Sequence, residues 1–485
     1  MQAIDFFLVN IHTSVWLTLA GAAYIVVTLL TAMHAVLYQE REGSAIAWLG
    51  IIVLSPGFGL VLYWLFGINR IKRRIRRELA PHAPAAIRTP QVDRQGDAPG
   101  LLNHPLLITS LAIHTDHYLS GNTIEPLLNG NQTYPAMLDA IADARESIFL
   151  SSYIFDYDRI GRRFIKALSK AHRRGVTVRV LIDGIGIGYS FSWTKTDRAL
   201  RAVGISTARF LPTLSRRGTR FINLRNHRKI LSIDGSNAFV GGINIRDNNM
   251  VETSTDAGSR VRDLHFRVTG PVIEQLNTVF IDDWLFARGE VLPPPDLRPA
   301  TPGQTLCRVL PDGPDENYLK LQTTLTAAIN AAVSSINIVT PYFLPGSIVI
   351  HSLKLAVIRG VRVSVIVPER SNIRLIDWAF RAELDGLLDA GICVYFSPPP
   401  FDHSKLLLID DYWSLIGSSN WDTRSLKLNF EVNLECFDTD LNTRLQTVLN
   451  EKQIQARDAA STRQQHRSLP ARLRNRLCRL FSAYL

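Results

Sequence analysis

Two stretches of this chain repeat one another, and that repeat limits the fold more than any other feature. One reads His227-Arg-Lys229-Ile-Leu-Ser-Ile-Asp234, the other His403-Ser-Lys405-Leu-Leu-Leu-Ile-Asp410. They continue to Gly241-Gly242-Ile-Asn244 and Gly417-Ser418-Ser-Asn420, with the Asn ten residues after the Asp in each case. The surrounding chain repeats as well. Ser147-Ile-Phe-Leu-Ser-Ser-Tyr-Ile-Phe155 is strand-like, a helical stretch follows, and Gly175-Val-Thr-Val-Arg-Val-Leu-Ile182 is a second strand. The later half answers with Ile336-Asn-Ile-Val-Thr-Pro-Tyr-Phe343, a helical stretch to Arg359, and Gly360-Val-Arg-Val-Ser-Val-Ile-Val367. Strands and helices in alternation specify α/β layers. An internal repeat of that kind predicts two homologous α/β lobes rather than one large sheet.

Each repeat also gathers chemistry. The apolar run after each Lys reads as a buried strand, and a strand projects residues i and i+2 from one face. His227 would point with Lys229, and His403 with Lys405. Asp234-Gly235 is a turn dipeptide, so each repeat is expected to form an antiparallel hairpin with a four-residue loop. That register opposes Ile233 to Ala238, His227 to Asn244, His403 to Asn420 and Lys405 to Ser418. Each hairpin then collects a base, a cation and polar donors. Asp234 and Asp410 sit at the turns, a position that favours tying the hairpin together over direct chemistry. An imidazole needs a partner to fix its tautomer. Glu431, in Asn429-Phe-Glu-Val-Asn433, and Asp263, in Arg262-Asp-Leu-His265, are the candidates. No Asp/Glu cluster with metal-ligand spacing flanks either repeat, so neither metal nor cofactor is expected.

The amino-terminal region is of another kind. Residues 15–37 carry no charge, a run of 23, and about 20 suffice to cross a bilayer core. Trp16 and Tyr38 mark its ends, as an aromatic belt does. After Gln39-Glu-Arg-Glu-Gly43, residues 44–68 are again uncharged, interrupted by Ser55-Pro56-Gly57. Two spanning helices forming a hairpin are expected, the second kinked. Arg70, Lys72, Arg73, Arg74, Arg76 and Arg77 follow at once, whereas only Arg41 lies between the apolar runs. The positive-inside rule places everything after the second run in the cytoplasm, and with two spans the amino terminus too.

The expected organisation is therefore a membrane hairpin with its basic cluster (1–79), a Pro-rich tether (80–105), a first lobe (106–291), a second Pro-rich linker (292–304), a second lobe (305–450) and a basic tail (451–485). In that tail Leu473, Leu477, Leu480, Phe481 and Tyr484 recur at helical spacing among arginines. Such a helix suits lying on anionic lipid or packing on the lobes. A net charge of +11 suits anionic partners, lipid or nucleic acid. The four cysteines, Cys307, Cys393, Cys436 and Cys478, have no short spacing, and neither a disulfide framework nor a zinc site is indicated.

The paired motifs resemble the HKD signatures of the phospholipase D superfamily over nearly everything after residue 105. Finer features resemble its bacterial cardiolipin synthases: Arg225-Asn-His-Arg-Lys229, Gly241-Gly-Ile-Asn-Ile245, Thr340-Pro-Tyr-Phe343 and Gly417-Ser-Ser-Asn-Trp-Asp-Thr-Arg-Ser-Leu426. The resemblance implies two phospholipase D-like lobes, each a mixed sheet flanked by helices, related by a pseudo-two-fold axis with one site between them. It implies a phosphatidyl transfer from one phosphatidylglycerol to another through a phosphohistidine, with His227 as nucleophile and His403 as acid and then base. Lys229, Lys405, Asn244 and Asn420 would hold the phosphate oxygens, and the replacement of Ser418 by Gly242 in the first copy implies unequal lobes. It also implies an enzyme of the bacterial inner membrane, multi-pass, with cytoplasmic lobes, anionic lipid partners and no nucleic acid. The rival readings are a hydrolase of phospholipid or nucleic acid on the same fold, and a silent membrane scaffold. Two intact motifs argue against the scaffold.

Overall fold

The computed structural model describes residues 2–39, 42–55, 57–67, 105–113, 116–184, 193–210, 224–253, 259–297, 303–315, 317–462 and 468–480. The basic cluster after residue 67 and the tether up to residue 104 lie outside the described residues, as do Phe481 and Tyr484. The chain divides into two compact units, Met1–Pro81 and His82–Leu485.

In the first unit, helix α1 spans Gln2–Tyr38. Its portion Val15–Tyr38 is the one described helix long and apolar enough to cross a membrane. The second apolar stretch departs from expectation. It forms α2 (Glu42–Leu54) and the short α3 (Phe58–Leu62), which runs into one π-helical turn, Tyr63–Gly67. Thirteen residues of α2 reach about 20 Å, short of the ~30 Å hydrocarbon core. The contacts show a return rather than a kink. The Gly57 amide meets the Tyr24 hydroxyl, Trp64 Nε1 donates to Thr31 Oγ1, and Gln39 Nε2 donates to the Gly67 carbonyl at 2.6 Å. The later residue in each pair meets a later position along α1, so α3 runs back toward the end at which α1 finished. His34 and Trp48 both pack on Tyr63, the first with Nδ1 2.7 Å from its hydroxyl. The expected second span is thus corrected to a helical hairpin that turns at Ser55–Gly57. Gly57, at a φ of 75°, stands where the helix ends instead of bending.

The second unit carries the repeat. Its first half supplies β1 (Leu119–Leu128), β2 (Ser147–Ser152), β3 (Thr177–Asp183), β4 (Ser206–Phe210), β5 (Ile230–Ile233), β6 (Asn237–Gly241) and β7 (Leu264–Thr269). Its second half supplies β8 (Thr305–Asp312), β9 (Ser335–Val339), β10 (Arg362–Pro368), β11 (Cys393–Ser397), β12 (Leu406–Ile409), β13 (Trp413–Gly417) and β14 (Glu431–Phe437). The first half orders them 1-7-6-5-2-3-4 and the second 8-14-13-12-9-10-11, the same seven-strand mixed sheet twice. Strands β2, β3 and β4 are parallel, and β5 through β7 run antiparallel. Helices cover the sheets. The helix Arg159–Arg173 between β2 and β3 begins at Asp158, whose carboxylate caps the Gly161 amide at 2.8 Å.

The lobes are two by repeat but one by hydrogen bonding, which corrects the expectation of separate sheets. β1 pairs with β8 at Leu119↔Cys307 and Asn122↔Thr305, and with the edge strand β15 (Arg457–Asp458) the ladder has 15 strands. Each lobe has its own apolar core. A third core is shared between them, with Val240 and Phe266 from one lobe and Ile416 and Leu434 from the other.

The tail helix, Leu469–Leu480, packs on the helix Arg374–Leu388 of the second lobe. It does so with its small and polar face. Asn475 is buried, Arg474 stacks over Trp378 and Arg479 pairs with Glu383. Leu469, Leu473, Leu477 and Leu480 all face outward, between 47% and 76% exposed.

Candidate active site

Both hairpins of the repeat form, one residue out of the expected register. Ile230 pairs with Val240 and Ile233 with Asn237, and in the second lobe Ile409 pairs with Trp413. The loop is therefore three residues, not four. Asp234 and Gly235 both take positive φ, 51° and 58°, and close a mirror-image turn in which the Ser236 amide donates to the Ile233 carbonyl. Lys229 then stands across from Gly241 rather than Gly242, and Lys405 across from Gly417. Asp234 accepts from the backbone amides of Arg145, Glu146 and Ser147 at 2.8 Å each. Asp410 does the same for Val333, Ser334 and Ser335. Both carboxylates tie the hairpin turn to the start of the neighbouring strand, at the far end from the histidines.

The histidines come together at the seam between the lobes, their ring centroids 6.4 Å apart. Each is set by the other lobe. The His227 amide donates to Phe430 O, and the His403 amide to Arg262 O. His227 Nδ1 lies 2.9 Å from Glu431 Oε2, and His403 Nδ1 lies 2.7 Å from Asp263 Oδ2. A carboxylate at Nδ1 holds the proton there, so Nε2 is left as the basic nitrogen of each ring. Gly242 and Ser418 explain how two carboxylates of different length serve one geometry. A β-carbon at Gly242 would overlap both Asp263 oxygens, whereas the Ser418 hydroxyl donates to Glu431 Oε2 at 2.5 Å. Asn429 Nδ2 meets the other Glu431 oxygen at 3.2 Å.

The lysines stand behind the rings. Lys229 Nζ donates to the His227 carbonyl at 2.6 Å and lies over the Tyr153 ring. Lys405 Nζ donates to the His403 carbonyl and lies 3.8 Å from Asp263 Oδ2. Burial pushes both ammonium groups down, Lys229 to about 7 and Lys405 to about 8. Burial also lowers His227, and burial together with the Lys405 charge lowers His403 to about 4. Burial pushes Glu431 up, but His227 and Lys229 more than offset it, so the carboxylate sits below its ordinary range.

A cavity of about 310 Å³ opens at the two rings. Asn244 and Asn420 line it. Asn244 Oδ1 accepts from the Ile154 amide, and Asn420 Oδ1 is buried with no hydrogen-bond partner among the described residues. Residues that the motif reading did not single out complete the wall: Tyr153, Tyr342, Arg246 and Arg424. Arg424 lies in the run after Asn420, where Asp-Thr-Arg-Ser-Leu was visible but carried no chemistry of its own. Among the described residues, no group of three or more His, Cys, Asp or Glu could hold a metal ion.

Two imidazoles at one cavity, their ring centroids 6.4 Å apart, can attack a phosphodiester through the neutral ring and protonate its leaving oxygen from the other when that ring is charged. The fold and the site define a two-lobed enzyme of the phospholipase D type. The family model described as cardiolipin synthase, PLD-like domain, matches residues 137–284 and 325–452. A second, phospholipase D-nuclease N-terminal, matches residues 25–67. Cardiolipin synthase A of Pseudomonas fluorescens strain Pf-5 is 34% identical over 94% of this chain and 96% of its own length. The cardiolipin synthase of Geobacillus thermodenitrificans is 32% identical over 84% and 82%. In solved structures, the phosphatidylserine synthase of Haemophilus influenzae shares the fold, with a TM-score of 0.59 at 16% identity over 76% of this chain and 97% of that one. The chain belongs to the cardiolipin synthase family, and it is a phosphatidyltransferase.

Proposed function

We propose that the enzyme joins two phosphatidylglycerols into cardiolipin and glycerol through a covalent phosphohistidine. The observation that carries this is the facing pair His227 and His403, each with a carboxylate on Nδ1. His227 Nε2 attacks the donor phosphorus. The bond from phosphorus to the glycerol oxygen breaks, and that oxygen takes a proton from His403. The hydroxyl of the second lipid then attacks the same phosphorus. The phosphorus–nitrogen bond breaks, and the hydroxyl proton passes to His403. Asn244 and Asn420 hold the non-bridging oxygens, while Lys229 and Lys405 supply positive charge from behind the rings. His403 enters this cycle charged because the bound phosphodiester anion raises its proton affinity.

We place the lobes on the cytoplasmic face of the inner membrane. The fold-back returns residue 67 to the side where α1 ends, and the sequence continues from there into six basic residues at 70–77. Helix α1 is then the single crossing, and its Val15 end lies on the opposite side. The outward leucines of the tail helix, flanked by arginines, suit the surface of an anionic bilayer.

The test is product analysis. The purified full chain is incubated with phosphatidylglycerol in mixed micelles containing chelator, beside a His227→Asn variant. Cardiolipin and free glycerol, absent from the variant, are expected. Phosphatidic acid as the only product would move the function to hydrolysis.

A further inference from the structure

The two lobes repeat one another in backbone but not in surface. The helix Arg159–Arg173 joins β2 to β3 in the first lobe, and the helix Ser347–Ile358 joins β9 to β10 in the second. The arginine after each helix aligns them. Arg174 donates to the Ile141 and Ala144 carbonyls, and Arg359 to the Ile329 and Ala332 carbonyls. In that alignment the inward faces agree: Phe164, Leu168 and Ala171 answer to Val349, Leu353 and Ala356, all buried. The outward faces do not agree. Arg163, Lys166, Lys170 and Arg173 stand where the second lobe has Ile348, His351, Leu355 and Ile358. Ile348, Leu355 and Ile358 are each more than half exposed.

This apolar stripe belongs to a layer. Leu106, Leu325, Leu353 and Phe380 come from the helices Pro105–Ile113, Lys320–Ala331, Ser347–Ile358 and Arg374–Leu388. They share one core with Val363, Val365 and Val367, which alternate along β10, so the four helices cover one face of the sheet. The tail helix lies on the last of them. The outer side of this layer also exposes Ile108, Leu375 and the tail leucines. Among the described residues of the first lobe, 116–288, Tyr157 alone is an exposed large hydrophobic. An apolar surface gathered on one side of a molecule marks an interface.

Three observations identify what covers it. The chain that leaves the membrane unit enters this layer: the helix Pro105–Ile113 precedes the first lobe in sequence but is fixed to the second, where Arg308 donates to the Ser110 carbonyl and the Ser110 hydroxyl to Glu435. The layer also reaches the catalytic cavity. Tyr342, which leads into the helix Ser347–Ile358, lines it, and so do Ile373 and Ile376 on either side of the exposed Leu375. Cations stand among the apolar residues, with Arg359, Arg472 and Arg476 exposed. Aliphatic side chains flanked by arginines match the acyl boundary and headgroups of an anionic bilayer.

We propose that this helical layer of the second lobe, through Ile348, Leu355 and Ile358 as well as the tail helix, is the face that rests on the anionic bilayer, while the matching helix of the first lobe stays in water. This rests on the reading of the enzyme as one that takes its lipids from the membrane.

The full chain, with the solvent-reachable Cys393 and Cys478 replaced by Ser, is reconstituted into nanodiscs of phosphatidylglycerol and phosphatidylcholine. A fluorophore is attached at Leu355→Cys and, in a second variant, at its counterpart Lys170→Cys. The label at Leu355→Cys should lose most of its fluorescence to nitroxides on shallow acyl positions and little to aqueous iodide. The label at Lys170→Cys should do the reverse. Quenching at Leu355→Cys by iodide alone overturns the proposal. So does shielding from both quenchers, which would mean that protein covers the stripe, and so does equal quenching of both labels by the lipid nitroxide. Cardiolipin is measured in the same nanodiscs. If it forms while the Leu355→Cys label stays in water, the surface falls and the reaction stands. If the label is quenched from the lipid and no cardiolipin forms, the reaction falls and the surface stands.

Discussion

His227 finds its carboxylate 204 residues away and His403 finds its own 140 residues away, each in the opposite lobe. The spacing of the repeats shows which residues recur, so the histidines, lysines and asparagines were legible in the sequence. Which carboxylate serves which histidine depends on how the lobes face one another, and a single sequence has no period that encodes this. The unequal positions Gly242 and Ser418 were legible as a difference but not as its purpose, which is to seat Asp263 and Glu431. The electrostatics yield a pH prediction. In the empty site Lys229 loses its charge as pH rises through about 7, and Lys405 through about 8. Each histidine stays neutral to below its ordinary 6.5. The profile of kcat/KM, which reports the free enzyme, should therefore have its acid limb set by His227 below pH 6.5 and begin to fall no later than about 7 to 8, because His403 must carry its proton as well as the lysines theirs. The alkaline limb of kcat should lie higher, because a bound phosphate favours charged lysines. A kcat/KM that climbs steadily to pH 9 would contradict the arrangement.

At the scale of elements, hydrophobicity measures how long an apolar stretch is but not which way it returns. Residues 44–68 count as one span, yet the helix breaks at Ser55–Gly57 and comes back. A cysteine introduced in place of Leu17, near the start of the apolar run, and another in place of Gln2 should be labelled only from the periplasmic side in right-side-out cells. Labelling of Gln2→Cys only after the membrane is opened would restore the two-span arrangement. The hairpin register slipped by one because the Asp-Gly turn closes in three residues, a difference that the turn residues alone do not decide. In the tail helix the leucine stripe was legible, but the helix docks through Ala471, Asn475 and Cys478 on the opposite face. Leu473→Glu with Leu477→Glu should therefore leave thermal stability nearly unchanged and lower activity on anionic vesicles more than on mixed micelles. A large loss of stability would mean that the leucines pack on protein instead.

The whole molecule joins its lobes by a ladder and by a core that both lobes share. The repeat predicted the two lobes, but the seam strands β1 and β8 repeat nothing beyond themselves, so the continuous sheet was not visible beforehand. The seam fixes the separation of the histidines, and everything proposed about the chemistry depends on that separation. The covalent intermediate is the most direct readout. The full chain would be mixed with phosphatidylglycerol, quenched in alkali on the timescale of one turnover, digested and analysed by mass. The account predicts a phosphatidyl adduct on the peptide that carries His227, absent from His227→Asn and formed far more slowly in His403→Asn, which lacks the acid of the first step. An adduct on His403 would reverse the two roles. No adduct on either histidine, under conditions where cardiolipin still forms, would contradict the mechanism.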